Sequence, residues 1–195
     1  MPRRIGVFGG TFDPPHIGHL VTAVDVRDAL RLDEVLMVVA NEPWQKAGSR
    51  RISSATDRLA MVAAAVSDVP GVTVSDVEIT RGGRSYSVDT LRFLAEAEPD
   101  SERYLVLGSD AAAGLDTWDR PDELADLARI VVVERPGSTT EMPTGFRLER
   151  VSAPRLEVSS TELRARVASG QSLRFLIPDA VVSLIEALGL YRDEP

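Results

Sequence analysis

The feature that most constrains the fold is an alternation of short apolar runs with segments of helical periodicity. Six runs are predicted to be strands: Ile5–Phe8, Val35–Ala40, Val72–Ile79, Tyr104–Leu107, Ile130–Val133 and Leu148–Val151. Strands that alternate with helices form parallel sheets, and continuously apolar strands are typical of a sheet covered on both faces. We therefore expect an α/β fold with one doubly wound, Rossmann-like parallel sheet, helices on both faces, and further helices at the C-terminal end.

The helical segments have apolar residues at the i, i+3, i+4 and i+7 positions, which predicts their inward faces. The first helix is expected to run from Ile17 to about Leu32. Its predicted inward stripe is Ile17, Leu20, Val21 and Val24, and that of the next helix is Leu59, Val62, Ala63 and Val66. Further helices are predicted over Ser87–Glu96, after Pro121, over Ser160–Ala168 and over Asp179–Leu188.

Length and composition narrow the class of protein. The chain has 195 residues and contains no long linker, so a single domain over residues 1–195 is expected. The absence of cysteine excludes a disulfide scaffold, a thiolate metal site and a cysteine nucleophile. A net charge of −8 argues against nucleic-acid and membrane-surface partners. Without a signal peptide or a long apolar run, a cytoplasmic location is expected, whereas homo-oligomerisation stays open.

Rare residue types cluster in the loops that follow predicted strands. The two histidines, His16 and His19, lie within four consecutive residues, and Lys46 is the single lysine. In open α/β sheets, ligands bind beyond the carboxyl ends of the strands, near the point where the strand order reverses. The loops of interest are therefore 9–19, 108–118 and 158–164.

The first loop, from Gly9 to His19, leads from a strand into a helix. Glycines let the backbone approach a ligand closely, and unpaired N–H groups at a helix start attract phosphate. His16 and His19 are i, i+3 neighbours that can donate hydrogen bonds to phosphate oxygens. The alternatives are local capping with a carboxylate such as Asp13, and a zinc site, which lacks a third ligand in register.

The other loops also have simpler structural interpretations. Ser159 and Glu162 fit a helix capping box, although the hydroxyls and Arg164 equally suit a clamp for a triphosphate. Asp110 and Ser87 each fit a helix N-cap. Trp118 is either a half-buried aromatic residue or a platform on which a planar ring stacks.

Two motifs together resemble the nucleotidylyltransferase superfamily. They are Gly-Thr-Phe-Asp-Pro-Pro-His-Ile-Gly-His at residues 10–19 and Val-Ser-Ser-Thr-Glu-Leu-Arg at residues 158–164. The paired Gly9-Gly10 and the C-terminal tail make the chain most similar to nicotinate-nucleotide adenylyltransferases. This resemblance assigns ATP binding to Gly9, Gly10, Thr11, Phe12, His16, Gly18, His19, Gly108, Asp110, Ser159, Ser160, Thr161 and Arg164.

The same resemblance implies an acceptor site for nicotinate mononucleotide. It assigns this site to Lys46, Tyr86, Ser87, Thr90 and Trp118. The second loop departs from the family pattern, because Trp44 and Gln45 stand where a proline and a histidine are usual. Lys46 itself matches the pattern and is still expected to meet a phosphate, with a solvated side chain as the alternative.

The implied reaction transfers AMP from ATP to nicotinate mononucleotide and releases pyrophosphate. The acceptor phosphate is already anionic, so catalysis consists mainly of positioning and charge stabilisation. The resemblance makes His16, His19 and Arg164 the catalytic residues. Mg²⁺ is expected to arrive with ATP, and no resident metal site is predicted.

Other functions are compatible with parts of the pattern. An adenylyltransferase or cytidylyltransferase for another substrate, such as phosphopantetheine, would share the fold. The His16–His19 sequence also occurs in class I aminoacyl-tRNA synthetases, which need a lysine-rich second motif and a longer chain. A catalytically silent nucleotide sensor is the alternative from a different class. Pyrophosphate release with each substrate distinguishes these possibilities.

Overall fold

A six-stranded parallel sheet forms the centre of the computed structural model, which describes residues 2–43, 52–134, 146 and 148–192. Its strand order is β3-β2-β1-β4-β5-β6. The strands are β1 (Arg4–Gly10), β2 (Glu34–Val39), β3 (Val72–Ser75), β4 (Glu102–Gly108), β5 (Arg129–Glu134) and β6 (Leu148–Ser152). All five neighbouring pairs are parallel, so the α/β prediction is confirmed.

Helices follow the strands on both faces of the sheet. They are α1 (Ile17–Leu30), α2 (Ala55–Val66), α3 (Val77–Arg81), α4 (Ser87–Ala97), α5 (Ser109–Ala113), α6 (Pro121–Leu127), α7 (Ser160–Ala168) and α8 (Asp179–Leu188), with a 3₁₀ turn over Leu115–Thr117. Pro121 occupies the first turn of α6, as predicted, because the missing N–H group of proline costs nothing there. In the described part of the chain, no helix has both the length and the apolar character needed to cross a membrane.

The predicted third strand, Val72–Ile79, is longer than the strand that the structure shows. β3 ends at Ser75, and the apolar residues Val77 and Ile79 belong to α3 instead. The carbonyl of Asp76 accepts a hydrogen bond from the backbone N–H of Thr80, which closes a helical turn. The apolar pattern therefore continues from β3 into α3, and the polar residue Asp76 marks the boundary between them.

The predicted inward stripes of the first two helices are confirmed in part, because Leu20 and Val24 of α1 and Leu59, Val62 and Val66 of α2 pack on the apolar core. In α1 the fully buried residues are Ala23 and Val26, and the helix ends at Leu30 because Arg31 adopts left-handed backbone angles. In α2, Ala63 is exposed, whereas Met61, Val62, Ala65 and Val66 are buried. The reason is that α2 packs on two neighbours at once: Val62 and Val66 face the sheet, and Met61 and Ala65 face the C-terminal helices.

The packing of the helices opens a crevice at the centre of the sheet. β1 and β4 are neighbours, and the chain leaves β1 in one direction along the sheet and β4 in the other. The helix after β1 packs on one face through Ala23 and Val26, and the helix after β4 packs on the other through Ala112. The two connections therefore diverge beyond the carboxyl ends of β1 and β4, where a doubly wound sheet binds its ligands.

Candidate functional site

Glycines line the floor of this crevice. Gly9 and Gly10 end β1, and Gly108 ends the adjacent β4. Gly9 and Gly108 are exposed, and a Cβ built on either would meet no atom of the described residues within 4 Å. The missing side chains therefore leave open space above two neighbouring strand ends, which is wide enough for a ligand to reach the backbone.

Gly10 has a different role, because a Cβ there would lie 2.6 Å from the ring carbon Cζ of Phe12. The Phe12 ring is 2 % exposed and packs edge-on against His19, with the ring centroids 5.0 Å apart. Phe12 also has a φ angle of 49°, a left-handed conformation that turns the chain under the histidines. The structure therefore places the buried Phe12 side chain against His19.

The imidazole rings of His16 and His19 are stacked. Their centroids lie 3.7 Å apart and their planes differ by 23°. The backbone N–H of His16 donates a hydrogen bond to Nδ1 of His19 at 3.2 Å. In the neutral ring, an Nδ1 atom that accepts a hydrogen bond leaves the proton on Nε2, so Nε2–H of His19 is a donor. His19 therefore caps the start of α1 with one ring nitrogen and keeps an N–H donor on the other.

Gly18 allows this stack to form close to α7. A Cβ at Gly18 would lie 3.0 Å from Nδ1 of His16 and 3.3 Å from a methyl carbon of Val158. Both distances are tighter than ordinary van der Waals contacts. Gly18 is thus needed for the close approach of His16 and of the segment that precedes α7.

The N-terminus of α7 is attached to the first loop. Ser159 caps α7 by accepting from the backbone N–H of Glu162, which confirms the predicted cap. The hydroxyl of Ser160 donates to the carbonyl of Pro14 at 2.8 Å. Arg164, 4 % exposed, donates to the carbonyl of Asp13 at 2.9 Å and to the hydroxyl of Thr161 at 3.3 Å. The two predicted ATP-binding motifs are therefore in direct contact, and Arg164 is part of that contact.

Asp110 and Ser87 occupy helix starts, but neither is the N-cap that the simpler interpretation predicted. Gly108 is the cap of α5, and Asp110 is an exposed residue of its first turn. Tyr86 is the cap of α4, and Ser87 is the first helical residue. Asp110 therefore lies two residues after Gly108, in the first turn of α5.

The predicted acceptor residues in the described chain lie along the α4 side of the sheet. Tyr86 and Trp118 pack as partly buried rings against the same apolar core. The segment after Trp118 is joined to α4 by Arg120, whose guanidinium donates to Asp89 at 2.6 Å. This hydrogen bond raises the pKa of Arg120. The start of α4 and the Trp118 segment are therefore held as neighbours.

Thr90 lies deeper than the other predicted acceptor residues. It is 1 % exposed, and its hydroxyl donates to the buried carboxylate of Glu78 at 2.6 Å. The structure therefore places Thr90 between α4 and α3, below the N-terminal end of α4. Lys46, together with the unusual Trp44, lies outside the described residues.

Arg58 is a functional candidate that the sequence analysis missed. Its side chain is 1 % exposed and donates to the backbone carbonyls of Ser53, Thr11 and Asn41 at 3.0–3.1 Å. Thr11 follows β1 and Asn41 follows β2, so Arg58 joins two loops at the carboxyl edge of the sheet. The sequence did contain a signal that Arg58 is buried. Arg58 lies three, four and seven residues before Met61, Val62 and Ala65, so it belongs to the same buried face of α2.

Within the described residues, no three histidine, aspartate or glutamate side chains form a cluster that could hold a metal ion. The site is instead built from backbone N–H groups, two imidazoles and a guanidinium, which are donors. This chemistry suits an anionic ligand.

Comparison with known proteins agrees with this geometry. A cytidylyltransferase-like family model matches residues 7–166. The chain is 46 % identical over 196 residues to a protein of Roseiflexus named "probable nicotinate-nucleotide adenylyltransferase", covering 96 % of this chain and 98 % of that one. A protein of Streptomyces coelicolor with the same name is 44 % identical over 189 residues, covering 95 % of this chain and all of its own length.

Solved structures show the same fold. The nicotinic acid mononucleotide adenylyltransferase of Plasmodium falciparum, complexed with NaAD, superposes with a TM-score of 0.80 at 18 % identity, and 98 % of each chain is covered. The matched sequences span nearly the whole length of this chain and of its relatives. On this evidence, the chain belongs to the nicotinate-nucleotide adenylyltransferase family, within the cytidylyltransferase-like proteins.

Proposed function

We propose that this protein transfers AMP from ATP to nicotinate mononucleotide, giving deamido-NAD and pyrophosphate. The observation that carries the proposal is the contact between the two motifs: the His16–His19 stack and the start of α7 meet at one loop beside the crevice. The family relationship supports the choice of substrates, because the relatives are named for this reaction.

The chemistry requires little from the protein beyond placement. A phosphate oxygen of nicotinate mononucleotide attacks the α-phosphorus of ATP and forms the new P–O bond. The bond from the α-phosphorus to the oxygen that bridges to the β-phosphorus breaks, and pyrophosphate leaves with that electron pair. Because the attacking phosphate is already anionic at neutral pH, no side chain has to remove a proton. Catalysis then depends on alignment and on stabilising the charge of the leaving group.

In this proposal the ATP phosphates lie over the N-terminus of α1. Nε2–H of His19 donates to the triphosphate, and His16 and Arg164 add hydrogen-bond donors and positive charge. The nucleoside lies over the open strand ends at Gly9 and Gly108, beside Asp110. Mg²⁺ would enter as part of the MgATP substrate and would neutralise part of the charge of the triphosphate. The remaining ATP contacts are assigned to the backbone and hydroxyls of both motifs, namely Gly10, Thr11, Phe12, Gly18, Ser159, Ser160 and Thr161.

The acceptor is proposed to bind along the start of α4. The backbone N–H groups in the first turn, at Ser87 and beyond, offer donors to a nicotinate carboxylate. Trp118 and Tyr86 supply aromatic surface for the pyridine ring. Thr90 fixes the α4 end through its hydrogen bond to Glu78, and Lys46 is proposed to meet the acceptor phosphate.

The proposed function is tested by measuring pyrophosphate release with ATP and each candidate acceptor. We expect turnover with nicotinate mononucleotide and much slower turnover with the amide mononucleotide, because the amide lacks the charge that the α4 start attracts. Phosphopantetheine and CTP-dependent reactions should give none. Preference for the amide would overturn the acceptor assignment, and ATP binding without turnover of any mononucleotide would support a nucleotide sensor.

Filling the open space at Gly108 should weaken ATP binding without unfolding the protein. Gly108 has φ −69° and ψ 156°, extended angles that valine adopts readily. Steric overlap with the nucleoside should cost about 1–3 kcal/mol, so Gly108→Val should raise KM for ATP about 10- to 100-fold. The apparent Tm should stay close to that of the wild type.

Two further variants make the Gly108 experiment specific. Gly108→Ala should show a smaller rise in KM for ATP, because its side chain is smaller. Gly114→Ala is the matched control at a second glycine with negative φ, where the new Cβ would lie 3.7 Å from the hydroxyl of Thr117. A wild-type KM in Gly108→Val would contradict the placement of the nucleoside.

A further inference from the structure

We propose that Tyr191, in the tail after α8, is a positioning residue for the ATP site, acting through Asp13. The proposal rests on the proposed function, since it concerns how the first loop is held while ATP binds there. Tyr191 lies at the opposite end of the chain from this loop, 178 residues from Asp13.

The contact is short and shielded from water. The Tyr191 hydroxyl donates to Oδ1 of Asp13 at 2.7 Å, and the two residues are 7 % and 1 % exposed. Sδ of Met61 lies 3.8 Å from the same hydroxyl. Burial and, secondly, the neighbouring Asp13 carboxylate raise the pKa of Tyr191, so the phenol keeps its proton and remains the donor.

Asp13 is held from a second side by α7. Arg164 donates to the backbone carbonyl of Asp13, and Ser160 donates to the carbonyl of the next residue, Pro14. Tyr191 and the backbone N–H of Ser53, which donates to Oδ2 at 3.4 Å, secure the side chain of Asp13, while α7 secures the backbone. Because His16 is only three residues further along, these contacts fix the direction from which the chain enters α1.

The tail adopts an unusual conformation to make this contact. Gly189 ends α8 with φ 62°, and Tyr191 itself has φ 64°, in the left-handed region that favours glycine. A tyrosine in that region is strained, and such residues persist where the surrounding contacts hold them. The turn directs the phenol inward against the apolar cluster formed by α2, α7 and α8.

The test compares two tyrosine-to-phenylalanine variants. Tyr191→Phe removes the hydroxyl beside Asp13. Tyr104→Phe is the matched control, because Tyr104 is also buried and its hydroxyl donates to the carboxylate of Glu102 at 2.8 Å, at the amino ends of the strands. We expect Tyr191→Phe to lower kcat/KM for ATP about tenfold, since small displacements of reacting groups are costly, and to leave KM for nicotinate mononucleotide unchanged. Tyr104→Phe should leave both parameters at wild-type values, even if its Tm falls as far as that of Tyr191→Phe.

A double-mutant cycle tests whether Tyr191 acts through Asp13. Asp13→Asn retains an oxygen acceptor for the phenol and should keep most of the activity. Asp13→Ala should lose at least as much as Tyr191→Phe, because it also removes the acceptor of the Ser53 N–H group. The double variant Tyr191→Phe/Asp13→Ala should lose no more than Asp13→Ala alone. Equal kinetics in Tyr191→Phe and Tyr104→Phe, an equal rise in KM for both substrates, or additive losses in the cycle would overturn the proposal. Turnover by the wild type in the same assay tests the proposed function separately.

Discussion

His19→Ala is expected to lower kcat about 10²- to 10³-fold, the effect of removing one preorganised donor from a developing negative charge. The ring stacks on His16 and packs edge-on against Phe12, and its Nδ1 atom accepts from the backbone N–H of His16. These contacts direct the proton to Nε2, so the donor is in place before ATP arrives. Steady-state pyrophosphate release with saturating ATP measures the loss.

His19→Asn separates the phosphate contact from the local cap. The amide oxygen of asparagine can accept from the backbone N–H of His16, as Nδ1 does, but asparagine provides no donor at the position of Nε2. We expect His19→Asn to be as inactive as His19→Ala while having a Tm nearer to that of the wild type. Activity near the wild-type level in His19→Asn would show that His19 serves only as a cap.

Arg58→Met is expected to lower the free energy of unfolding by about 3 kcal/mol or more. Methionine fills a similar volume, yet it leaves the carbonyls of Ser53, Thr11 and Asn41 without the donors they have now. Each buried carbonyl that is left without a donor costs about 1–3 kcal/mol. The variant no longer has to desolvate a guanidinium charge, which offsets part of this loss of stability. Urea unfolding should show a lower midpoint with an unchanged slope.

Arg166→Met is the matched control for Arg58. Arg166 is a half-buried arginine that donates to the carbonyl of Ser172 at 3.0 Å. Its replacement should cost less than about 1 kcal/mol, since a typical hydrogen bond contributes about that much. Equal destabilisation of the two variants would contradict the role of Arg58 as the joint between two loops. Arg58→Met should also raise KM for ATP at temperatures where it remains folded, because Thr11 belongs to the loop that is proposed to bind ATP.

The sequence predicted the sheet well because each strand is buried on both faces and is therefore continuously apolar. The same apolar bias caused the error beyond Ser75, where Val77 and Ile79 continue the pattern inside a helix. The face of α2 was predicted in part, since Leu59, Val62 and Val66 pack on the core. The prediction missed Met61 and Ala65, because a helix that packs on two neighbours has a wide buried surface, which a single stripe does not describe.

The site was predicted where the contacts are local and missed where they are distant. The His16–His19 pair and the Ser159 cap lie within single turns of helix, so their spacing is visible in the sequence. Arg58 meets Thr11 across 47 residues, and Tyr191 meets Asp13 across 178. No periodicity relates such residues, and only the folded chain brings them together.

The bond between Tyr191 and Asp13 has a consequence for the order in which the enzyme matures. The first loop, which is proposed to meet the triphosphate, is synthesised well before Tyr191, because Tyr191 lies 178 residues after Asp13. Contacts of such long sequence separation form late, because much of the intervening chain must be ordered first. A nascent or truncated chain that lacks the tail would therefore hold its histidines loosely, and full activity would begin only when the fold has closed from end to end.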